Sequence, residues 1–432
     1  VQKRLSFALS AFLLIGLTLG IGIFTKPTSV TYAANTLQSN SDQVITIGGT
    51  TDGLAPNATT TPYTVSGDGN VIIFASTATN FPGAGGSYGL YAYNSKTNIT
   101  TRVDVSSSGA VANGPITGTV LTSETGRYIT WISNATNLID GTTLPSGDYF
   151  IFKHDTQTGA TTLLDDEPNG LNQNKDKDLA ISSDGRFVLT ASRYIANGYP
   201  YSYGITLGDT ASGTVSWSSL AKGNDNEGSS NGTDVNASMS CDGSFVAYNE
   251  VGPTVKLLDL RKGTTTTIAT ASAASVSPII SCNGRYVLYA TQNRTDITPT
   301  PTGMDSYLHL VRYDRLTGER SYIDSDASGV FSTAHYSYSS SIQPSANTFA
   351  ASIADTGDVV FRYNGYTYLK HLSDGSGTLE SIGITASGTY LNITSGQITQ
   401  DGRYVWMYGD PYNFGLAPSP SSQQMIRIKT GL

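Results

Sequence analysis

The chain has 432 residues and a net charge of −8, with 38% hydrophobic and only 13% charged side chains, 46 glycines, 26 tyrosines and two cysteines. So little charge excludes a coiled coil or a charge-rich disordered tail, and the acidic balance argues against nucleic acid and anionic membrane surfaces as partners. Frequent turn residues beside aromatic and β-branched ones indicate an all-β protein.

In chain order, Lys3 and Arg4 precede an uncharged apolar run from Leu5 to Phe24, and Thr31, Tyr32 and Ala33 follow it. This is the pattern of a signal peptide cleaved after Ala33; a run of about 20 residues also has the length of a membrane span, so an uncleaved N-terminal anchor is the alternative. Residues 1–33 carry Lys3, Arg4, Lys26 and no acid, so the remaining 34–432 are more acidic still. The protein is expected to be exported (extracellular, cell-surface or periplasmic), meeting a membrane only through residues 1–33 if they are uncleaved.

From there a single motif recurs: a small or polar residue, Asp, Asn or Thr, then Gly, often Arg, then an aromatic and an apolar run. It reads SGDGNVIIF at 66–74, TSETGRYITW at 122–131, SSDGRFVLT at 182–190, SCDGSFVAY at 240–248, SCNGRYVLY at 281–289, ADTGDVVFRY at 354–363 and TQDGRYVWMY at 399–408. Each copy leads into a second apolar stretch, a turn with Gly and usually a Thr-rich stretch, so the unit is four strands joined by tight hairpins. Seven antiparallel four-stranded sheets bury both faces when packed around an axis, which predicts one seven-bladed β-propeller over 34–432. The last copy stops at its third strand, and Val44–Ile47 reads as a stray fourth strand. Pairing it with Met425–Lys429 completes the seventh blade and closes the ring.

The S-x-D-G-R-(Y/F)-V segments, with Tyr313-Asp314-Arg315-Leu316-Thr317-Gly318 downstream, resemble the TolB-type propeller repeat, a WD-repeat-like family common in secreted bacterial proteins. The resemblance covers nearly the whole of 34–432 and implies the fold, whereas function resides in sites grafted on it. Neither the α/β domain that accompanies the propeller in TolB nor a hydrolase domain is recognisable, so no role of those domains carries over.

About 57 residues per copy exceeds the roughly 40–45 of a compact repeat, and the surplus falls between strands two and three and between blades, on one face. That long-loop face is the expected binding surface. Arg127, Arg186, Arg285 and Arg403 recur after the hairpin Gly and read as structural ion-pair or capping residues. His154 and His371 read as one repeat position in two third strands. Three stretches break the repeat: 197–204 with Tyr199 and Tyr201, 328–341 with Tyr336 and Tyr338, and 409–422 with Tyr412 and Phe414. Rigid aromatics among Ser, Asn and Gly give contact area at low entropic cost and can stack on sugars, so these six are the ligand-binding candidates; packing onto the propeller rim is the alternative.

Asp225, Glu227 and Asp234, with Asp176 and Asp178, offer oxygen ligands for Ca²⁺, although no segment has the spacing of a calcium loop. No other cofactor is expected. Gly85-Gly86-Ser87-Tyr88-Gly89 matches G-x-S-x-G but leads into a strand, where a nucleophile elbow needs a helix. Cys241 and Cys282 hold the same position in neighbouring copies and form a disulfide candidate, two small buried thiols being the alternative. The expectation is an exported, monomeric, non-catalytic binding or scaffolding propeller whose partner is an envelope or extracellular glycan or protein. A secreted polysaccharide-acting enzyme, with carboxylates brought together at the propeller mouth, is the alternative.

Overall fold

The computed structural model describes residues 44–45, 47–84, 88–164, 175–196, 199–211, 216–222, 237–250, 254–270, 278–291, 309–325, 351–363, 366–382, 396–409 and 424–430. The chain divides into two compact units, Val1–Tyr32 and Ala33–Leu432, and all described residues belong to the second. The expected signal or anchor segment lies outside them. Among the described residues no helix is long and apolar enough to cross a membrane.

The described strands form seven four-stranded antiparallel sheets, a seven-bladed all-β propeller. Blade 1 runs Thr60–Val65, Val71–Ser76, Gly89–Asn94 and Ile99–Arg102, and blades 2 to 6 repeat this consecutive order. The seventh sheet takes Gly396–Ile398, Tyr404–Gly409 and Gln424–Lys429 and adds the two-residue strand Val44–Ile45, opposite Ile426 and Met425. First strands of successive blades adjoin and surround the axis. Second strands are covered on both faces by neighbouring blades, so Val71–Ser76 and Tyr286–Thr291 are buried at every residue, whereas the outer strand Ile99–Arg102 alternates. The core is therefore interleaved between blades. Between blades 1 and 2, Ile73 and Leu90 pack with Ile129, Trp131 and Phe152, each such burial contributing roughly 1.5–3 kcal/mol.

The hairpin between the first two strands explains the repeat. In blade 4, Ser240 Oγ donates to Asp242 Oδ1 (2.7 Å) and accepts from the Phe245 N–H (3.0 Å), while Asp242 Oδ1 also accepts from Ser244 N (2.9 Å). Gly243 follows with φ of 69°, a conformation that costs other residues about 1–2 kcal/mol. In blades 2 to 6 the hairpin Gly also rests on the residue that follows the hairpin of the preceding blade. A Cβ on Gly185 would lie 2.7 Å from the Tyr128 ring, on Gly243 2.5 Å from Phe187 and on Gly284 2.6 Å from Phe245. The Gly and the aromatic of the repeat are thus two halves of one inter-blade contact.

The recurring arginines mostly behave as expected. Arg127 forks onto Asp155 (3.0 and 2.8 Å), Arg186 onto Asp209 (2.8 and 2.7 Å) and Arg285 onto Asp314, each joining second and third strands of its own blade. Arg403 differs because Lys429 stands opposite Tyr404 where blades 2 to 5 have Asp, leaving Arg403 3.8 Å from Asp401. In blade 6, Asp358 replaces the arginine and accepts the Leu372 and Ser373 N–H groups at 2.7 and 2.9 Å. The same blade corrects the histidine alignment. Ile129 pairs with His154, but the equivalent Val360 pairs with Leu369, so His371 lies two positions later, beyond the strand. It bonds Glu380 at 2.9 Å, while His154 bonds Thr161 at 2.9 Å.

Two measurements check this account. Gly263, with φ of 64° and nothing within 4 Å of a built Cβ, is the control for Gly284: Gly263→Ala should cost about 1 kcal/mol, and Gly284→Ala a further 1–3 kcal/mol or so from overpacking against Phe245, read from urea midpoints at constant slope. The Arg127 hydrogen bonds hold Asp155 below the ordinary 3.8, at about 2. A depressed carboxylate contributes stability above its unfolded value and loses it as pH falls through the folded one. Asp155→Asn should therefore lower stability at pH 6 and flatten its decline between pH 4 and 2, followed by the same midpoints.

Candidate functional site

The two faces of the propeller are built differently. Connections between strands one and two, and most between three and four, are short turns, whereas those between blades are long. Strands two and three are joined by long stretches in blades 1, 2, 5 and 7 but by two or three residues in blades 3, 4 and 6. In blade 3 the surplus has become strand. Phe187–Ala196 pairs with Tyr199–Asp209 as far as Ala196 opposite Tyr199, where second and third strands elsewhere have five or six residues. At about 3.3 Å per residue the extra four positions lengthen this hairpin by roughly 13 Å on the loop face. Tyr199 and Tyr201, expected in a loop, are thus strand residues of this β-ribbon, which also holds Tyr194 and Tyr203.

Tyr336, Tyr338, Tyr412 and Phe414 lie outside the described residues, as do Asp225, Glu227 and Asp234. Asp176 and Asp178 fall in the innermost strand of blade 3, Lys175–Ile181, instead of a loop. Among the described residues the structure therefore places two of the six aromatic candidates on one ribbon and two of the acidic candidates, Asp176 and Asp178, on one strand.

A second assembly occupies the axis on the turn face, and the sequence reading did not foresee it beyond the two cysteines. The residue after the hairpin Ser or its equivalent is Gly67, Glu124, Ser183, Cys241, Cys282, Asp355 and Gln400 in blades 1 to 7. All seven blade junctions are bonded at this level. Gln400 N donates to Gly67 O (3.1 Å), Asp68 N to Glu124 O (3.0 Å), Ser183 Oγ to Glu124 Oε2 (2.8 Å) and Ser183 N to Cys241 O (2.6 Å). Cys241 N donates to Cys282 O (2.8 Å), Asn283 N to Asp355 Oδ1 (2.8 Å) and Asp355 N to Gln400 O (2.8 Å).

The side chains of this ring converge across the axis. Cys241 and Cys282 are bridged, with Cα atoms 4.6 Å apart. Glu124, from blade 2, has a carboxylate oxygen within 4.8 Å of both sulfurs, and Gln400 Nε2, from blade 7, lies 3.3 Å from Cys241 Sγ. Gly67 makes room for that amide, because a Cβ there would collide with it. Asp355 is pushed above the ordinary carboxylate range by burial, opposed by the Asn283 N–H and reinforced by the charge of Glu124. The cluster is half-buried. Its signal in the sequence was the hairpin position at which chemistry varies most from copy to copy.

A third arrangement with catalytic appearance is structural. His309 Nδ1 lies 2.8 Å from Asp324 Oδ2, a carboxyl raised by burial against the pull of that contact. Blade 1 has Asp104 at the corresponding place, two residues after its fourth strand, bonded to Arg102 Nε (2.8 Å) and to the Leu90 N–H (3.0 Å). Asp104 and Asp324 thus serve as buried clamps at the start of a third strand.

No protein-family model matches the chain, and no curated protein sequence does. Among solved structures it is similar to TolB from Acinetobacter baumannii at 13% identity, over 73% of this chain and 66% of that one, with a TM-score of 0.38. It is similar to an oligogalacturonate lyase in complex with manganese at 11% identity, over 93% of this chain and 99% of that one, TM-score 0.50. An oligogalacturonate lyase from Vibrio parahaemolyticus gives 10%, 91%, 93% and 0.50 in the same order. At these identities the likeness is one of fold alone.

The bridge predicts that alkylation of the denatured, unreduced chain labels no thiol and that reduction frees two, read by intact mass. Closing a 41-residue separation contributes up to about 4 kcal/mol by chain entropy, so reduction should lower the urea midpoint while the hydrogen-bonded ring keeps the blades assembled.

Proposed function

We propose that the protein is an exported, non-catalytic binding module that recognises an envelope or extracellular ligand, a glycan or an extended polypeptide, through its loop face. The observation that carries this reading is the ribbon of blade 3, which sets Tyr194, Tyr199, Tyr201 and Tyr203 on a hairpin longer than any other in the described propeller. Aromatics on a paired ribbon lose less freedom on binding than the same rings on an open loop, which favours contact with an extended partner. The acidic chain suits a neutral or basic ligand better than an anionic polymer.

The second reading is an enzyme acting on polysaccharide, and one observation favours it: Glu124 and Asp355 bring two carboxylates from distant blades to the axis, one of them raised as a proton donor requires. Against it, both carboxylates also hold ring contacts, to Ser183 and Asn283, on the face opposite the ribbon. The lyase likeness adds nothing to this reading, since it extends to fold alone.

The test incubates the full chain with isolated cell envelope and with a panel of neutral and acidic polysaccharides, scoring co-sedimentation and new reducing ends. Binding without release is expected. Tyr199→Ala with Tyr201→Ala should weaken it about 30-fold, the 2 kcal/mol typical of a hot-spot aromatic, without moving the urea midpoint. Release of reducing ends that disappears in Glu124→Gln and Asp355→Asn would overturn the binding reading in favour of the enzyme.

A further inference from the structure

The axial cysteines stand in chemical company that a structural bridge does not need. A disulfide has no charge to neutralise, yet Glu124 reaches within 4.8 Å of both sulfurs from another blade, and Gln400 directs an amide N–H at Cys241 Sγ from 3.3 Å. Among the described residues Glu124, Cys241 and Cys282 are the one group of three His, Cys, Asp or Glu side chains whose ligand atoms lie this close together. The backbone beneath them is fixed without the disulfide, because Ser183 N bonds Cys241 O (2.6 Å) and Cys241 N bonds Cys282 O (2.8 Å).

We infer that the reduced form of this centre is a binding site for a soft divalent cation of the zinc type, with Cys241 Sγ, Cys282 Sγ and a Glu124 carboxylate oxygen as its three protein ligands. In a tetrahedral zinc site such atoms are separated by roughly 3.3–3.8 Å, so the sulfurs must part while the carboxylate closes in. Rotation of the two Cys side chains on a fixed backbone does this. Thiolates select zinc, cadmium or copper(I) over calcium or magnesium. The Gln400 N–H favours the thiolate of Cys241, and Ser183 Oγ, bonded to Glu124 Oε2 at 2.8 Å, leaves the other carboxylate oxygen for the ion. The fourth position opens to the turn face, where water completes the set.

The chemistry balances as a redox gate. A dithiol reductant delivers two electrons and two protons to the Cys241–Cys282 bond and leaves as its own disulfide; the ion then displaces the two thiol protons and binds both thiolates. A two-electron oxidant of the thiol–disulfide class reverses the sequence, reforming the bond and expelling the ion. The site lies on the face opposite the ribbon and does not depend on the ligand-binding reading.

The experiment uses the full chain, reduced with a phosphine, which is oxidised to its oxide and does not compete for metal as a dithiol would. After desalting without oxygen, native mass spectrometry with added Zn²⁺ should show one ion per reduced chain and none on the oxidised chain. Cd²⁺ should give the ultraviolet thiolate charge-transfer band, and each ion should release about two protons at neutral pH. Cys282→Ser should abolish binding, and Glu124→Gln should weaken it by more than about 100-fold, beyond the 10–100-fold of an outer-shell loss. Far-ultraviolet circular dichroism of each sample reports whether it is folded, and the charge-transfer band on the unmutated chain decides the question if Cys282→Ser is not. A reduced chain that takes up no ion, equal uptake by the oxidised chain or by Cys282→Ser, or binding indifferent to Glu124→Gln overturns the assignment.

Discussion

The propeller depends on a five-residue hairpin that performs three tasks at once. Its hydroxyl residue bridges Asp and the backbone to hold the turn, its Gly supplies a positive φ and a flat surface for the aromatic of the preceding blade, and its second residue joins the axial ring. The first two tasks leave few choices of residue, which is why they recur. The third is met largely by main-chain groups, so its side chain is released from the fold and varies from Gly67 to Cys241 to Gln400.

That division governs what the sequence could disclose. Blade number, strand order and double-sided burial of strands such as Val71–Ser76 were legible because each follows from local turn chemistry repeated seven times. The axial cluster was not, since Cys241 and Gln400 are 159 residues apart and meet only through the sevenfold closure of the ring. The cysteine pair illustrates the point: equivalent positions in adjacent blades diverge with distance from the axis, and only their place beside it brings the Cα atoms to 4.6 Å.

Two misreadings came from weighing composition above register. Tyr199, Tyr201 and Tyr203 recur at every second residue, the period of a strand, yet their Ser- and Gly-rich setting suggested a loop. His154 and His371 each follow a Lys, and that shared dipeptide suggested equivalence, but cross-strand pairing counts from the hairpin. Measured from Tyr128 and Val359, the two histidines differ by two positions. In blade 6 the capping carboxylate has crossed to Asp358, and Lys370 stands where blades 2 to 5 have Asp.

The two faces are under different structural constraints. On the turn face every junction is hydrogen bonded, the side chains point inward, and carboxylates, amide and sulfurs share a half-buried volume in which each alters the chemistry of the next. On the loop face the blades diverge, and the blade 3 hairpin can lengthen by four residue pairs because nothing there must meet a sevenfold partner. Insertions are cheap where only loop-closure entropy opposes them and costly where they would break a closed ring. A chain that elaborates one face while holding the other constant gains a variable surface at little expense in stability, and the axial residues, fixed in place but free in chemistry, are the one region where both freedoms coincide.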